Sequence, residues 1–474
     1  CTSNVTSGFI DLATFDELEK YMYGGPDATA YFVRETRKST WFTQVPVVLS
    51  RASGNPGFDT EWSVSISRAG DYLLAAWLRL TTPRVVPNPE MFGSNSPLRI
   101  RWTRNFMHNL IREACITFND LVAARFDNYH LDFWTAFTVP AGKRTGYNNM
   151  IGNFSELSDP HGPVISAGPF IPAFTLNLPL PFFFTRDSGV ALPTAALPYN
   201  DMRINFSFRD WRDLLIVDDL DKVTAGGDVF SRCAVDSDIA PASQMTLTNV
   251  QVWANYAIVS NDERKRMACA PRDILIEQVQ TAPRQTFSPS SDATPRYDIR
   301  FSHAIKVFFF GARNTSVRCQ WSNYTAGTPV PSFASVNYSA LAMTDPILQT
   351  SLIYENTNRL SQMGSDYYSL INPWYHAPVI PLETGYHMYS YSLDFICLDP
   401  MGSTNYGKLT NVSIVPEASA DAILSATGGF PSPGQAGYVG PTGGDFPQTW
   451  EFVTTAVNNN IIRISGGALG FPVL

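Results

Sequence analysis

Pro179-Leu-Pro-Phe-Phe-Phe-Thr-Arg-Asp-Ser-Gly-Val-Ala-Leu-Pro-Thr-Ala-Ala-Leu-Pro-Tyr-Asn-Asp-Met-Arg-Ile204 is the stretch from which the rest of the chain can be read. It predicts strand, turn, strand. Pro179 and Pro181 flank an apolar run, and proline belongs at strand borders because it cannot donate to a ladder. Ser188-Gly189 is a turn signal. From Met202 the chain alternates: Met202, Ile204, Phe206 and Phe208 are apolar, and Arg203, Asn205 and Ser207 are polar. A period of two puts each set on one face of a sheet. A sheet with one apolar face needs a second layer to cover it, as in a sandwich.

The same pattern recurs on both sides. Trp62, Val64 and Ile66 alternate with serines. Tyr297, Ile299 and Phe301 alternate with Asp298, Arg300 and Ser302, and Tyr389, Tyr391, Leu393 and Phe395 with Ser390, Ser392 and Asp394. Two halves of like strands meet at Ser260-Asn-Asp-Glu-Arg-Lys-Arg-Met-Ala-Cys269. Ser260 and Glu263 form a capping box, so a short charged helix, read as a solvated linker, is expected there. The next strand starts at Ile274-Leu275-Ile276. A faint echo suggests duplication: Ile116-Thr-Phe-Asn-Asp120 precedes Asp127-Asn-Tyr129, and Leu352-Ile-Tyr-Glu-Asn356 precedes Asp366-Tyr-Tyr368. Long loops are expected at 83–98, 139–172, 216–243, 313–348 and 416–447. Eight-stranded Greek-key sandwiches, the jelly rolls, accept such loops at their ends.

The first residues read differently. Thr14-Phe-Asp-Glu17 is a capping box, Phe15, Leu18 and Met22 follow at helical spacing, and Gly24-Gly25-Pro26 ends the helix. Residues 1–28 are therefore an arm with one short amphipathic helix. It either packs on its own domain or clamps a neighbour or a membrane-side partner.

With 474 residues the chain is long enough for two or three domains. No apolar run approaches the roughly 18 residues of a membrane span, and no secretory leader pattern opens the chain. It begins at Cys1 instead of Met, so leading residues are expected outside this numbering. Charged residues make up 16%, against a typical value of about 25%. So few charges imply that much of the surface is covered by other proteins. The net charge of −8 argues against wrapping nucleic acid, and residues 1–30 hold no basic arm. Cys1, Cys115, Cys233, Cys269, Cys319 and Cys397 are scattered without a CxxC pair, the pattern of reduced, mostly buried cytosolic thiols. Sequons at Asn4, Asn153, Asn205, Asn314, Asn323, Asn337 and Asn411 are read as chance matches.

Motifs that carry chemistry are sparse. Gly402-Ser-Thr-Asn-Tyr-Gly407-Lys408 matches most of a P-loop, but Leu409 stands where Ser or Thr would ligate magnesium, and a strand is expected next. It is read as a turn. His108, His130, His161, His303, His376 and His387 show no metal-binding spacing. There is no GxSxG elbow. Asp218, Asp219 and Asp221 could hold calcium but lack EF-hand spacing, and a solvated loop is the simpler reading. The acidic, aromatic-rich composition leaves one rival, a carbohydrate-binding or glycoside-hydrolysing β-sandwich, which as a hydrolase would need two facing carboxylates. No catalytic, cofactor-binding or metal residue is assigned, and no cofactor is expected.

The tract at 179–204 closely resembles a segment of the major capsid proteins of nucleocytoplasmic large DNA viruses, iridovirus type. The likeness continues in Thr6-Ser-Gly-Phe-Ile-Asp-Leu12, Ser67-Arg-Ala-Gly-Asp-Tyr-Leu73, Ile100-Arg-Trp-Thr-Arg-Asn105, Lys143-Arg-Thr-Gly-Tyr147 through Asn153 and Arg300-Phe-Ser-His-Ala-Ile-Lys-Val307. It extends to Leu352-Ile-Tyr-Glu-Asn-Thr357, Gly402–Gly407, Asn460–Ile464 and Gly470-Phe-Pro-Val-Leu474. Departures are read in loops, at 216–243 and 425–446. The resemblance implies an all-β double jelly roll, two eight-stranded antiparallel sandwiches in tandem with short helices and long loops. The expected division is an arm at 1–28, a first jelly roll at 29–259, a linker helix at 260–272 and a second jelly roll at 273–474. It implies a structural protein and not an enzyme. Homotrimers would form pseudo-hexameric capsomers that tile the icosahedral shell of a large double-stranded DNA virus. Expected partners are neighbouring capsomers, minor capsid proteins and a nearby inner membrane without insertion, with no direct nucleic-acid contact. Expected localisation is the outer capsid, assembled in the host cytoplasm. Long loops, 313–348 above all, are expected to interlock subunits near the three-fold axis.

Overall fold

In the computed structural model, Met202, Ile204, Phe206 and Phe208 are buried, while Arg203, Asn205 and Ser207 are half-buried. The structure describes residues 3–159, 170–223, 229–291, 294–327, 344–427 and 447–472. They fall into two units, Cys1–Trp41 and Phe42–Leu474.

The segment before Met202 departs from strand, turn, strand. A strand ends at Pro179, and three 3-10 turns follow at Phe183–Thr185, Ser188–Val190 and Thr194–Ala196. Prolines at 179, 181, 193 and 198 remove donors and fix φ, so the segment cannot join a ladder. Its phenylalanines are buried instead by packing, as in the Phe126–Phe182 pair at 5.2 Å.

The larger unit is built on two sets of eight strands. The first set is β1 (Phe42–Val48), β2 (Glu61–Ser65), β3 (Tyr72–Thr81), β4 (Ile111–Phe118), β5 (Leu121–Phe126), β6 (Thr175–Pro179), β7 (Met202–Phe208) and β8 (Thr248–Val259). The second is β9 (Arg272–Thr281), β10 (Tyr297–Asp298), β11 (Ala304–Asn314), β12 (Ile347–Tyr354), β13 (Thr357–Gly364), β14 (His387–Ser390), β15 (Val412–Ala418) and β16 (Trp450–Ser465). The first set pairs as β1-β8-β3-β6 and β2-β7-β4-β5. The second pairs as β9-β16-β11-β14 and β10-β15-β12-β13. Adding eight to every strand of the first set reproduces the second, and all these pairs are antiparallel. Pairing the first strand with the last and the second with the seventh is the jelly-roll connection. The protein is an all-β double jelly roll.

The faint echo turns out to be a repeated hairpin. Asn119 and Asp120 join β4 to β5 with φ of 49° and 67°, and Glu355 and Asn356 join β12 to β13 with φ of 47° and 65°. Two central residues at positive φ match the right-handed strand twist, as in a type I′ turn. A helical segment follows each hairpin. After β5 it is α3 (Asn128–Thr138), whose first turn is capped by Asp127 accepting from the His130 amide at 3.0 Å. After β13 it is the wide turn Tyr367–Ile371 running into α7 (Asn372–His376).

β11 binds the two jelly rolls together. Its sequence, Ala304-Ile-Lys-Val-Phe-Phe-Phe-Gly-Ala-Arg-Asn314, lacks alternation, and every residue after Ala304 is buried. Unbroken apolar runs of this kind belong to strands covered on both faces. Ile305, Phe308, Phe310 and Ala312 join the interior of the second jelly roll. Val307 and Phe309 join a cluster that is continuous with the core of the first. The cover on that side is α3: Phe133 and Phe137 stack on Phe309 at 6.2 and 5.5 Å, and Trp134 meets it edge-on. Gly311 allows this approach, since a Cβ there would lie 2.9 Å from the Gly385 carbonyl and 3.1 Å from Phe133.

Several expected loops contain ordered structure. Within 216–243, Leu215–Val223 pairs with Val229–Cys233 and with Leu98–Trp102 in a separate three-stranded sheet. Within 139–172 lie α4 (Ala141–Ile151) and α5 (Ser155–Ser158), and α8 (Ala420–Thr427) follows β15. The rest of 425–446, and most of 313–348, lie outside the described residues. The linker forms α6 (Asn261–Cys269), but the Ser260 side chain makes no capping bond. The helix is held instead by Arg264, whose guanidinium meets Asp71 at 2.8 Å, and by buried Met267. It is a docked helix and not merely a solvated turn.

In the smaller unit the helix sits earlier than expected. α1 spans Ser3–Ala13, and Thr14 Oγ1 donates back to the Asp11 carbonyl, so Thr14 closes that helix and does not open another. The segment Glu17–Tyr21 is a 3-10 turn capped by Asp16.

Truncating Phe309 removes the apolar surface shared by the two rolls. Phe309→Ala should lower unfolding stability by about 3–5 kcal/mol, read from denaturant midpoints. Gly311→Val should do comparable damage by pushing α3 off the sheet.

Candidate functional site

Between the two rolls lies a buried polar network that motif reading missed. Asp132, on α3, accepts from His108 Nδ1 at 2.9 Å and from Ser322 Oγ at 2.8 Å. His108 belongs to α2 (Phe106–Leu110), and its Nε2 faces the Tyr147 hydroxyl at 2.5 Å. Asn109 donates to Ser322 Oγ at 2.9 Å. Serine, histidine and aspartate are the residue types of a nucleophilic triad, but Ser322 bonds to the carboxylate instead of the imidazole, and all three are buried. The arrangement fastens residues 315–327, from the second half, to helices of the first. No spacing rule could find it, because its members are joined only in space.

Two further clusters do the same work. The Trp321 indole lies between the guanidiniums of Arg209 and Arg313, at 3.9 and 3.7 Å, and its Nε1 donates to the Asp213 carbonyl at 2.9 Å. Arg186 lies over Trp134 at 3.8 Å and pairs with Glu277 at 3.0 Å, which also holds Lys306 at 2.5 Å. A buried charge is tolerable only when paired in this way.

The candidates singled out in the sequence are placed as follows. Gly402–Lys408 is a turn whose Thr404–Asn405 pairs with β11, and β15 follows it, so no helix N-terminus is present to cradle a phosphate. The aspartate cluster is not a solvated loop. Asp218 is buried on a strand, paired with Arg101 at 2.7 Å and hydrogen-bonded by Ser231. Desolvating Asp218 is offset by Arg101, which is equally buried. The Asp221 side chain lies outside the described residues. His387 pairs with Asp345 at 2.7 Å, His376 Nδ1 donates to the Leu393 carbonyl at 3.1 Å, and His303 sits at a φ of 62°. His161 lies outside the described residues. The thiols are less buried than expected: Cys319 is buried, Cys115, Cys233 and Cys397 are half-buried, and Cys269 is exposed. Alternation at 389–395 breaks after Ser390, leaving Leu393 70% exposed.

What remains unpartnered is apolar surface. In the second half, Leu370, Ile371, Trp374, Tyr375 and Leu382 are exposed, Trp374 by 71%. On the outer face of β1-β8-β3-β6, Val48, Trp253 and Trp77 form one cross-strand row, with the two indoles stacked at 6.3 Å. In the smaller unit Phe9, Leu12, Leu18 and Phe32 are each more than half exposed.

Comparison with known proteins decides the family. Residues 30–259 match a family model described as the major capsid protein N-terminus, and residues 263–470 match one described as the large eukaryotic DNA virus major capsid protein. The chain belongs to the major capsid proteins of large eukaryotic DNA viruses. Among relatives, the major capsid protein of Costelytra zealandica iridescent virus is 64% identical over all of this chain and 99% of its own length. That of Frog virus 3 is 44% identical, again over all of this chain and 99% of its own. Among solved structures, the PBCV-1 virus capsid shares the fold at a TM-score of 0.70 and 18% identity, covering 94% of this chain and 100% of that one. The Faustovirus major capsid protein does so at 0.65 and 12%, covering 93% of each. This is a structural protein of the virion capsid and not an enzyme, which removes the glycoside-processing reading.

The core of this capsid protein contains a built-in acid sensitivity. The His130 ring is buried against Trp134, and neither nitrogen has a hydrogen-bond partner among the described residues. Burial, with Arg186 nearby adding to it, pushes the imidazole from 6.5 down to about 3. The unfolded chain therefore binds this proton first as pH falls, and stability is lost from pH 6.5 down toward 3. The slope due to His130 is about 1.4 kcal/mol per pH unit. His130→Phe should flatten the stability profile in that window, measured by denaturant unfolding at stepped pH. An unchanged slope would assign the acid limb to other groups.

Proposed function

We propose that three copies close into a pseudo-hexameric capsomer and that these tiles build the icosahedral outer shell of a large double-stranded DNA virus. The observation that carries this reading is one contact made once within the chain and left open once. Inside the chain, the helix between β5 and β6 packs on the outer face of β9-β16-β11-β14. The counterpart of that helix is Tyr367–His376 between β13 and β14, and it exposes Trp374 and Tyr375. The counterpart of the sheet is β1-β8-β3-β6, and it presents Trp77 and Trp253 on its outer face. A second copy supplies the missing partner to each. Repeating the contact around an axis makes six similar rolls, and three copies close the ring.

The domain boundaries proposed are an arm at 1–28, rolls at 29–259 and 273–474, and the helix between them. Neighbouring capsomers and minor capsid proteins are the proposed further partners. An inner membrane lies close without insertion; among the described residues no helix is long and apolar enough to cross one. Direct nucleic-acid binding is not part of the reading, given the net charge of −8. Assembly is placed in the host cytoplasm. The exposed apolar arm is assigned to the inner side of the shell, and antibody labelling of residues 1–28 on intact virions would count against that. The interlocking role first expected of 313–348 is narrowed, because residues 315–327 hold the two rolls of one chain together.

Light scattering after size exclusion tests the trimer. The wild-type chain should run at three times its 52.5 kDa mass. Trp374→Glu and Trp253→Glu, on opposite sides of the proposed contact, should each give folded single copies. A wild-type monomer, or variants that stay trimeric, would overturn the reading.

A further inference from the structure

A cavity of about 310 Å³ opens where α3 and α4 of the first half meet residues 379–386 of the second. Ligand cavities span roughly 300–1,000 Å³, so this one suits a small occupant. Much of its wall is apolar: Ala136 and Val139 at the end of α3, and Val379, Ile380 and Pro381 from the second half. The wall supplied by α4 is of a different kind. Ala141, Arg144, Thr145 and Asn148 follow at helical spacing and form one stripe along the cavity. A helix face turned toward protein is ordinarily apolar, whereas this stripe carries a guanidinium and an amide.

The fold leaves both of these groups with bonding capacity to spare. Arg144 Nη1 donates to the Thr135 carbonyl at 2.9 Å, which fixes the guanidinium, but no carboxylate pairs with Arg144 among the described residues. Glu383, the acidic residue of the wall, is taken by Arg104. Asn148 Oδ1 is shielded from solvent and has no hydrogen-bond partner among the described residues. Tyr386 also lines the cavity. Burial, with Glu383 and Asp132 nearby, pushes its phenol well above 10, so the hydroxyl stays a donor.

We propose that this cavity binds a carboxylate on an apolar body, the chemistry of a medium-chain fatty acid anion. Arg144 meets the carboxylate with the N–H groups that Thr135 leaves free, the strongest pairing open to a guanidinium. Tyr386 and the Asn148 amide complete the hydrogen bonds of the carboxylate. Val139, Val379, Ile380 and Pro381 take the tail. An uncharged occupant would shut the guanidinium away from water without a partner. A small hydrated anion would leave the apolar wall uncovered. The occupant is therefore both charged and apolar. Because the wall comes from both halves, the occupant ties them together and stabilises the folded chain by mass action. The site lies wholly within one chain and does not depend on the trimer.

The test uses the full-length purified protein with octanoate below its micelle concentration, and with octanol and acetate as the uncharged and tail-less controls. Octanoate should bind saturably by titration calorimetry and raise the thermal midpoint. Octanol and acetate should each bind about ten-fold more weakly or worse, the effect of losing one charge-assisted contact or the tail. Arg144→Gln should weaken octanoate by about ten-fold and leave octanol unchanged. Val379→Phe, which fills the apolar end, should abolish octanoate binding. Circular dichroism checks that each variant is folded, and if Val379→Phe is not, Arg144→Gln and the two controls decide alone. No saturable octanoate binding, octanol bound as tightly as octanoate, or full octanoate affinity in folded Arg144→Gln would overturn the proposal. Retained affinity in folded Val379→Phe would put octanoate elsewhere on the chain and overturn it equally.

Discussion

The sheet β9-β16-β11-β14 must be covered on both faces, and the rest of the structure follows from that constraint. A sandwich ordinarily hides one face of each sheet and leaves the other to water. Here β11 has no polar face to leave. Phe308 and Phe310 fill the second roll, and Phe309 between them looks the other way. The first roll must therefore send something across, and it sends α3, whose Phe133, Trp134 and Phe137 converge on Phe309. Burying an aromatic side chain is worth on the order of 1.5–3 kcal/mol. The shared cluster makes the two rolls one cooperative body, not two beads on a linker.

The polar network adds specificity to that apolar contact. Asp132 sits one residue before Phe133, so the same helix that delivers the aromatic wedge delivers the carboxylate that Ser322 and His108 bind. Hydrophobic packing alone would tolerate sliding of α3 on the sheet. A buried carboxylate does not, because each displaced hydrogen bond leaves a desolvated group unpaired. Arg186, Glu277 and Lys306 impose the same condition on the neighbouring contact.

Much of this fold is legible in the chain, for identifiable reasons. Strict alternation at Met202–Phe208 has one physical solution, and the two weak echoes are the two type I′ turns, where local chemistry dictates geometry. Other parts depend on long-range partners that sequence spacing does not encode. Ser188-Gly189 signalled a single turn between two strands, but not that tertiary packing would stabilise three short 3-10 segments there. Asp218 looked solvated because its counter-ion, Arg101, lies 117 positions away. The seam was illegible for the same reason: Ser322 and Asp132 are ordinary residues until the fold brings them within 2.8 Å. Thr14 misled because a capping residue can close one helix as readily as open the next, and the choice rests on Asp11.

Duplication gives a physical reason why a chain of two rolls would suit the three-fold assembly proposed above. Each roll carries a helix that follows its repeated hairpin and a sheet face that can receive one. Within a chain, one helix and one face are consumed by each other, which leaves one of each uncovered at opposite ends of the connection. Such a surface is heterologous: it cannot satisfy itself by a two-fold, and it must either propagate or close. The internal contact fixes the turn from one roll to the next, and if the open contact repeats that turn, closure comes at six rolls. Two conditions set by the sequence favour the repeat. The open sheet face carries large aromatics, Trp77 and Trp253, where the closed one carries Phe309 and Val457 on the corresponding strands. The open helix carries Trp374 and Tyr375 where the closed one carries Trp134 and Phe137. The same kind of aromatic wedge is therefore available twice per chain, already tested once inside it.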